Sequence, residues 1–243
     1  LYLSHINQIN TPGKLIKFFA KRNAHKVVIE DDARSLTMEE LNNRVNCLAN
    51  SLYKIGLKKG DKIGIRLKNC IEYTELRLAA YKAGFIFCAL IDDFTEEEIL
   101  NRISKMNFRA LFIEDSKLAN KLCENENQKL SEWIFAINFN TKNECIREYQ
   151  NLIIGGDKSE LCIETDPQNI SAIGFTSGTT GNSKAVVWNH RAWLQSFYHF
   201  LLNTRLTKGD MRMLQFLPFS TAGSLVILPW LASGGKLIIK SHY

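Results

Sequence analysis

The sequence predicts an α/β fold, with parallel sheets that carry helices on both faces. Three observations lead there. Short, strand-prone apolar runs alternate with segments of helical period, which is the signature of repeated βαβ units. Two of the helical segments open on a Thr-x-x-Glu capping box. One run, Phe85–Ile91, is apolar without a break, as a parallel strand covered on both faces should be.

Taken in order, Thr11-Pro12 reads as the cap and first residue of a helix with Leu15, Phe18 and Phe19 as apolar positions. Lys26–Glu30 is a short strand and Asp31–Arg34 a turn. Thr37-Met-Glu-Glu40 opens a helix whose stripe is Leu41, Val45, Leu48, Leu52 and Ile55, stopped by Gly56. Lys58–Asp61 turns into a strand over Lys62–Leu67. Asn69 with Glu72 is expected to cap the next helix, which ends near Gly84. Thr95–Glu98 is the second capping box, followed by Ile99, Leu100, Ile103 and Met106. Arg109–Ile113 and Trp133–Ile137 are further strands, and Gly155–Glu160 is the best linker.

Composition narrows the class. A chain of 243 residues with 45% apolar content can bury a full core, as one large domain or two lobes. The net charge of +6 lies entirely in the last quarter. From Lys184 onward there are seven basic residues against Asp210, whereas the first 183 residues carry 24 of each sign. A positive field of that kind favours a polyphosphate ligand, unless acidic residues in a longer parent protein balance it. The basic residues form no cluster, so nucleic acid is a poor fit. Cys47, Cys70, Cys88, Cys123, Cys145 and Cys162 contain no Cys-x-x-Cys, which argues for reduced thiols and against a zinc site or redox pair. No metal ligand set is read from this sequence. No signal peptide opens it, and the longest apolar stretch, Leu225–Ala232, is too short to span a bilayer, so the expectation is a soluble, cytoplasmic protein.

The chain is organised around residues 173–188. Apolar, strand-prone residues lie on both sides of Thr176-Ser177-Gly178-Thr179-Thr180-Gly181, a run of hydroxyls and glycines closed by Lys184. Glycines let successive backbone N–H groups converge, hydroxyls add rotatable donors, and lysine adds a mobile charge, which together make an anion cradle. The spacing is not that of a Walker P-loop, and Val186, Val187 and Trp188 favour strand–loop–strand over a loop feeding a helix. A flexible linker is the competing reading. It fits poorly with strands so close on both sides.

Phe175-Thr-Ser-Gly-Thr-Thr-Gly-Asn-Ser-Lys184, followed by Ala-Val-Val-Trp-Asn-His190-Arg191, resembles the signature loop of the AMP-forming adenylating enzymes. These are the acyl- and aryl-CoA synthetases, the adenylation domains of nonribosomal peptide synthetases, and luciferases. Ser183-Lys184-Ala185 stands where most members have Pro-Lys-Gly, so the lysine is kept while the turn around it differs. Leu36–Leu41, Gly60-Asp61, Ala80–Gly84, Asp166–Ile170 and Leu206–Asp210 follow the family's landmarks in order.

The resemblance implies two stacked βαβ subdomains of an incomplete N-terminal domain, with a subdomain linker near 155–165 and no C-terminal domain in residues 1–243. It implies ATP-dependent activation of a small-molecule carboxylic acid as acyl-adenylate, with Mg²⁺ sharing the phosphate charge. Transfer to CoA or to the phosphopantetheine thiol of a carrier protein would follow. Thr176, Ser177, Gly178, Thr179, Thr180 and Gly181 would hold the β- and γ-phosphates, and Lys184 would offset their charge. Phe219, Ser220, Thr221, Ala222 and Gly223 would form the acyl-pocket wall, or else be small residues that let the next helix pack closely. Amino-acid-activating relatives carry Phe-Asp-x-Ser there to pair the substrate ammonium; Ser220 offers no such charge, so an acid without an α-amino group is expected. The alternatives are an amino-acid-activating domain and a catalytically silent module that binds nucleotide or a partner. His190 would open a helix capped by Asn189, with a structural role. The family's later motifs do not appear, so the expectation is a fragment that does not complete adenylation alone and that leaves an unpaired strand edge near Lys236–Lys240.

Overall fold

The computed structural model describes residues 9–91, 94–124, 131–161, 163–175, 184–204 and 211–240. In chain order these form α1 (Pro12–Arg22), β1 (Val27–Glu30), β2 (Ser35–Thr37), α2 (Met38–Lys54), β3 (Lys62–Arg66), α3 (Ile71–Ala83), β4 (Ile86–Ala89), α4 (Glu96–Met106), β5 (Phe108–Ile113) and α5 (Ser116–Glu124). Then come β6 (Ser131–Ala136), β7 (Ile146–Glu148), β8 (Ile170–Phe175), β9 (Ala185–Asn189), α6 (His190–Thr204), β10 (Arg212–Gln215), α7 (Ile227–Ser233) and β11 (Lys236–Ile239). No helix among the described residues is long and apolar enough to cross a membrane.

Two sheets result. The larger has the order β7-β6-β5-β3-β4-β8-β9 and is parallel except for the β8/β9 pair; the smaller runs β10-β11-β1-β2 and is parallel except for β1/β2. Side chains alternate across a strand, so the larger sheet feeds two cores. On one face Ile63, Ile65, Phe87, Phe112 and Phe135 join Leu41 and Leu48 of α2, Leu76 of α3, and Ile29, Leu237 and Ile239 of the smaller sheet. On the other, Cys88, Leu111, Ile113 and Ile134 pack on Ile99 and Ile103 of α4 and Leu118 and Leu122 of α5. Helices therefore cover both faces of the larger sheet.

Both capping boxes form. Thr37 Oγ1 accepts from the Glu40 N–H at 3.2 Å while the Glu40 carboxylate accepts from the Thr37 N–H at 2.8 Å, and Thr95 and Glu98 repeat the arrangement. Thr11 stands at the N-cap of α1, yet its side chain makes no capping bond; Pro12 starts the helix by fixing φ.

Helix α3 is buried along every residue, including Glu72, Glu75, Arg77 and Lys82. A helix buried all round must pair its charges. Lys82 donates to Asn42 and Asn46 of α2 at 2.8 and 2.7 Å and pairs with Glu160. Glu72 pairs with Arg34 at 2.7 Å. Gly84 ends the helix at φ +71°, a backbone that side chains rarely adopt.

Two expectations are corrected here. Asn69 does not cap α3; the N-cap is Cys70, without a side-chain bond, because Asn69 reaches across to residues 217–219 instead. Nor is the strand at Lys236–Ile239 an open edge. β11 lies between β10 and β1, and the edges of that sheet are β10 and β2. Exposed apolar side chains on or beside the edge strand β10 include Leu214, Phe216 and Leu217. Residues 155–161 join β7 to β8 of the same sheet and are strapped onto α2, with Asn46 donating to the Lys158 carbonyl and Asn50 to those of Asp157 and Ser159, each at 3.0 Å.

Candidate functional site

The strand–loop–strand expectation holds. β8 lies parallel to β4, with Phe87 beside Ala172 and Cys88 beside Ile173, and antiparallel to β9, with Phe175 opposite Ala185. The loop thus leaves the carboxyl end of β8, level with the carboxyl end of β4, where open α/β sheets place their ligand crevices. Thr176, Ser177, Gly178, Thr179, Thr180 and Gly181 lie outside the described residues. Lys184 is exposed and immediately precedes β9. Gly174 is required by close packing: a Cβ there would lie 2.7 Å from the Trp188 ring across the hairpin.

Beneath the hairpin is a cavity of about 450 Å³. Its lining includes Phe219, Ser220, Thr221 and Ala222, four of the five residues expected in the acyl-pocket wall, together with Gly174 and Phe175 at the root of the loop. Gly223 is not among the lining residues. Its α-carbon faces the preceding turn, where a Cβ would meet the Leu217 carbonyl oxygen at 2.4 Å and that of Pro218 at 2.7 Å. A larger groove of about 880 Å³ lies by the Asp31–Arg34 turn, but it is open and lined by charges of both signs, with Arg34 and Glu72 already paired across it.

Other walls of the cavity were not legible in the sequence. Tyr73 and Arg77 come from α3, Trp188 from β9 and Trp193 from α6. Arg77 is 4% exposed. Its guanidinium carbon sits 4.1 Å from the centroid of the Trp193 ring and 4.6 Å from that of Phe87, and its Nη2 donates to Ser224 Oγ at 3.2 Å. Its Nε and the Trp193 Nε1 are buried without a hydrogen-bond partner among the described residues. The only available signal was an arginine inside an otherwise apolar run, Leu76-Arg77-Leu78-Ala79-Ala80.

Asn69 holds the wall in place. Its side-chain amide donates to the Leu217 carbonyl at 3.0 Å and its oxygen accepts from the Phe219 N–H at 2.8 Å. The Tyr73 hydroxyl donates to the Phe219 carbonyl at 2.8 Å while the two rings stack at 5.3 Å. Asn69→Ala leaves the buried Phe219 N–H unpaired, while the Leu217 carbonyl keeps its bond from Gln215 Nε2 at 2.6 Å, so it should cost ~1–3 kcal/mol. Urea denaturation of the variant checks this; an unchanged midpoint would rule out Asn69 as the fastener.

His190 opens α6, and Asn189 caps it by accepting from the Ala192 N–H at 2.8 Å. The imidazole is fully buried beside Tyr81, and neither ring nitrogen has a hydrogen-bond partner among the described residues. Burial, with a smaller push from Lys59, lowers its pKa to about 4, so the ring is neutral at pH 7. It packs as an uncharged ring between helices, consistent with a structural role.

A family model described as AMP-binding enzyme matches residues 16–242. The acyl-CoA ligase SID4 of Ajellomyces capsulatus is 27% identical over 216 residues, which are 82% of this chain and 35% of that protein. Gramicidin S synthase 2 of Brevibacillus brevis is 29% identical over 219 residues, 88% of this chain but 4% of that much longer protein. Among solved structures, the Mycobacterium tuberculosis fatty acyl CoA synthetase superposes with a TM-score of 0.86 at 16% identity, over 97% of this chain and 46% of the other. The chain spans about a third of the acyl-CoA ligase and about half of the solved synthetase.

Proposed function

Because the chain belongs to the AMP-binding enzyme family, we propose that it forms the ATP- and acid-binding part of an enzyme that activates a carboxylic acid as acyl-adenylate. In that step a carboxylate oxygen bonds to the α-phosphorus of ATP and the bond to the leaving pyrophosphate breaks. Transfer of the acyl group to a thiol, of CoA or of a carrier protein's phosphopantetheine, releases AMP. The single observation that supports this reading most is the juxtaposition at the β8–β9 hairpin. A hydroxyl- and glycine-rich loop ending at Lys184 leaves the carboxyl end of a parallel strand, and a largely apolar cavity of acyl size opens at its root.

In this reading the loop hydroxyls and amides of residues 176–181 hold the phosphate tail of ATP, which arrives with Mg²⁺, and Lys184 offsets charge on the departing pyrophosphate. No general base is required, since the attacking carboxylate is ionised at neutral pH. The cavity favours an acid without an α-amino group. Ser220 brings no negative charge to pair a buried ammonium, and Arg77 adds a positive charge to the same cavity, which would repel one.

ATP–pyrophosphate exchange by the full-length protein is the test. Lys184→Ala should weaken exchange by ~10-fold or more, the scale of one lost charge-assisted contact of ~1.5–3 kcal/mol. Fatty and aryl acids should drive exchange better than amino acids. Unchanged exchange in a folded Lys184→Ala protein would remove the phosphate assignment. A preferred amino acid would replace the acid reading by that of a peptide-synthetase domain. Nucleotide binding with no exchange for any acid would mark a silent binding module.

A further inference from the structure

We propose that Arg77 receives a second anionic group of the substrate, so that the acid activated is a dicarboxylate or another acid with an anionic tail. This rests on the reading of the cavity as the acid site and names the class of acid it takes.

Arg77 is a costly residue to bury. A guanidinium does not deprotonate, so this side chain carries its charge into the interior. Unpaired buried charges are costly, and they persist where something offsets them. The other buried charges of α3 are offset inside the protein: Glu72 by Arg34, Glu75 by Arg44, and Lys82 by Glu160. Arg77 has no carboxylate partner among the described residues. It has the Ser224 hydroxyl, a hydrogen bond with Tyr81, and aromatic faces, chiefly Trp193 and Phe87. Aromatic faces attract a cation through their π-systems but leave its in-plane donors unused.

Arg77 and Trp193 both line the cavity. Ser224 fixes the guanidinium at Nη2, while the neighbouring Nε, like the Trp193 indole nitrogen, has no hydrogen-bond partner among the described residues. Two such donors and one fixed charge around a cavity of about 450 Å³ describe an anion receptor with apolar walls. The anion is assigned to the substrate's far end for a chemical reason. A carboxylate paired with arginine is a poorer nucleophile, and the reacting carboxylate must stay free to reach ATP. The ring stack of Tyr73 and Phe219 supplies apolar wall suited to the methylenes between the two carboxylates.

The experiment is calorimetric titration of the full-length protein, first with α,β-methylene-ATP and then with acids, so that no adenylate forms. The acids are the dicarboxylates from succinate to suberate, each against the monocarboxylate of equal length and against its own monomethyl ester. For the best-fitting length the dicarboxylate should bind ~10-fold or more tightly than both controls, the scale of one charge-assisted contact. Arg77→Met should erase that preference and Arg77→Lys should keep part of it. Equal or tighter binding of the monocarboxylate or the ester in the wild type overturns the proposal, with no appeal to a variant that could misfold. So does a preference that survives in folded Arg77→Met. Failure to bind the nucleotide analogue would instead count against the functional reading, so the two failures are told apart.

Discussion

Glu75→Ala is expected to lower stability by ~3–5 kcal/mol, the cost of leaving buried partners without their shared anion. The Glu75 side chain is 0% exposed and lies where α3 meets α2, the β1–β2 turn and the short 3-10 turn at Tyr149–Leu152. One carboxylate oxygen accepts from Arg44 Nε at 2.5 Å and the other from the Tyr149 hydroxyl at 2.6 Å, with Arg34 Nη2 at 3.6 Å. Burial, reinforced by the Glu75 charge, pushes the Tyr149 phenol well above its ordinary range, so it remains a donor that needs an acceptor. Alanine would strand this hydroxyl and leave Arg44 without its carboxylate. Glu75→Gln keeps the shape and one acceptor and should recover part of the loss. Urea denaturation measures both; a loss below ~1 kcal/mol for Glu75→Ala would show that the cluster does not hold these elements together.

The second large effect depends on pH. His190 takes a proton near pH 6.5 in an unfolded chain but only near pH 4 when buried. Between those values the unfolded state binds more protons, so stability rises with pH across the window. The contribution of the neutral, buried ring is complete above pH 6.5 and is lost as pH falls through about 4, with a total of about 3 kcal/mol. Glu72 acts with the opposite sign at the acid end, since burial raises its carboxyl despite the lowering effect of Arg34. The wild type is therefore compared with His190→Phe. The variant should show a shallower fall in unfolding free energy from pH 6.5 to 4; parallel curves would rule out His190 as the source.

Much of the fold was legible because local signals and tertiary structure agree. The Thr37–Glu40 and Thr95–Glu98 boxes predict helix starts by satisfying backbone donors within four residues, and both form. Phe85–Ile91 reads as an interior strand, and β4 lies between β3 and β8. The strands flanking the loop pair as a hairpin, and Asn189 caps α6. Signals of the opposite kind failed. Asn69 looks like a cap from its neighbours alone, yet its amide serves a turn about 150 positions later. Three-residue strands such as β2 and β7 carry no periodicity to detect.

By itself, then, the sequence determined the α/β class and the place of the loop from Thr176 to Lys184 between two strands. Each of these rests on neighbours close in the chain or on a motif with fixed spacing. Tertiary structure alone decided that β11 is an interior strand and that Gly223 packs against residues 217–218 rather than lining the cavity. It also decided that Arg77 of α3 meets Trp193 of α6 and Ser224 at one wall. The reason is the same in each case. Sheet order and helix contact join residues far apart in sequence, and whether a buried charge is a pairing partner or a receptor depends on which distant groups the fold brings to it.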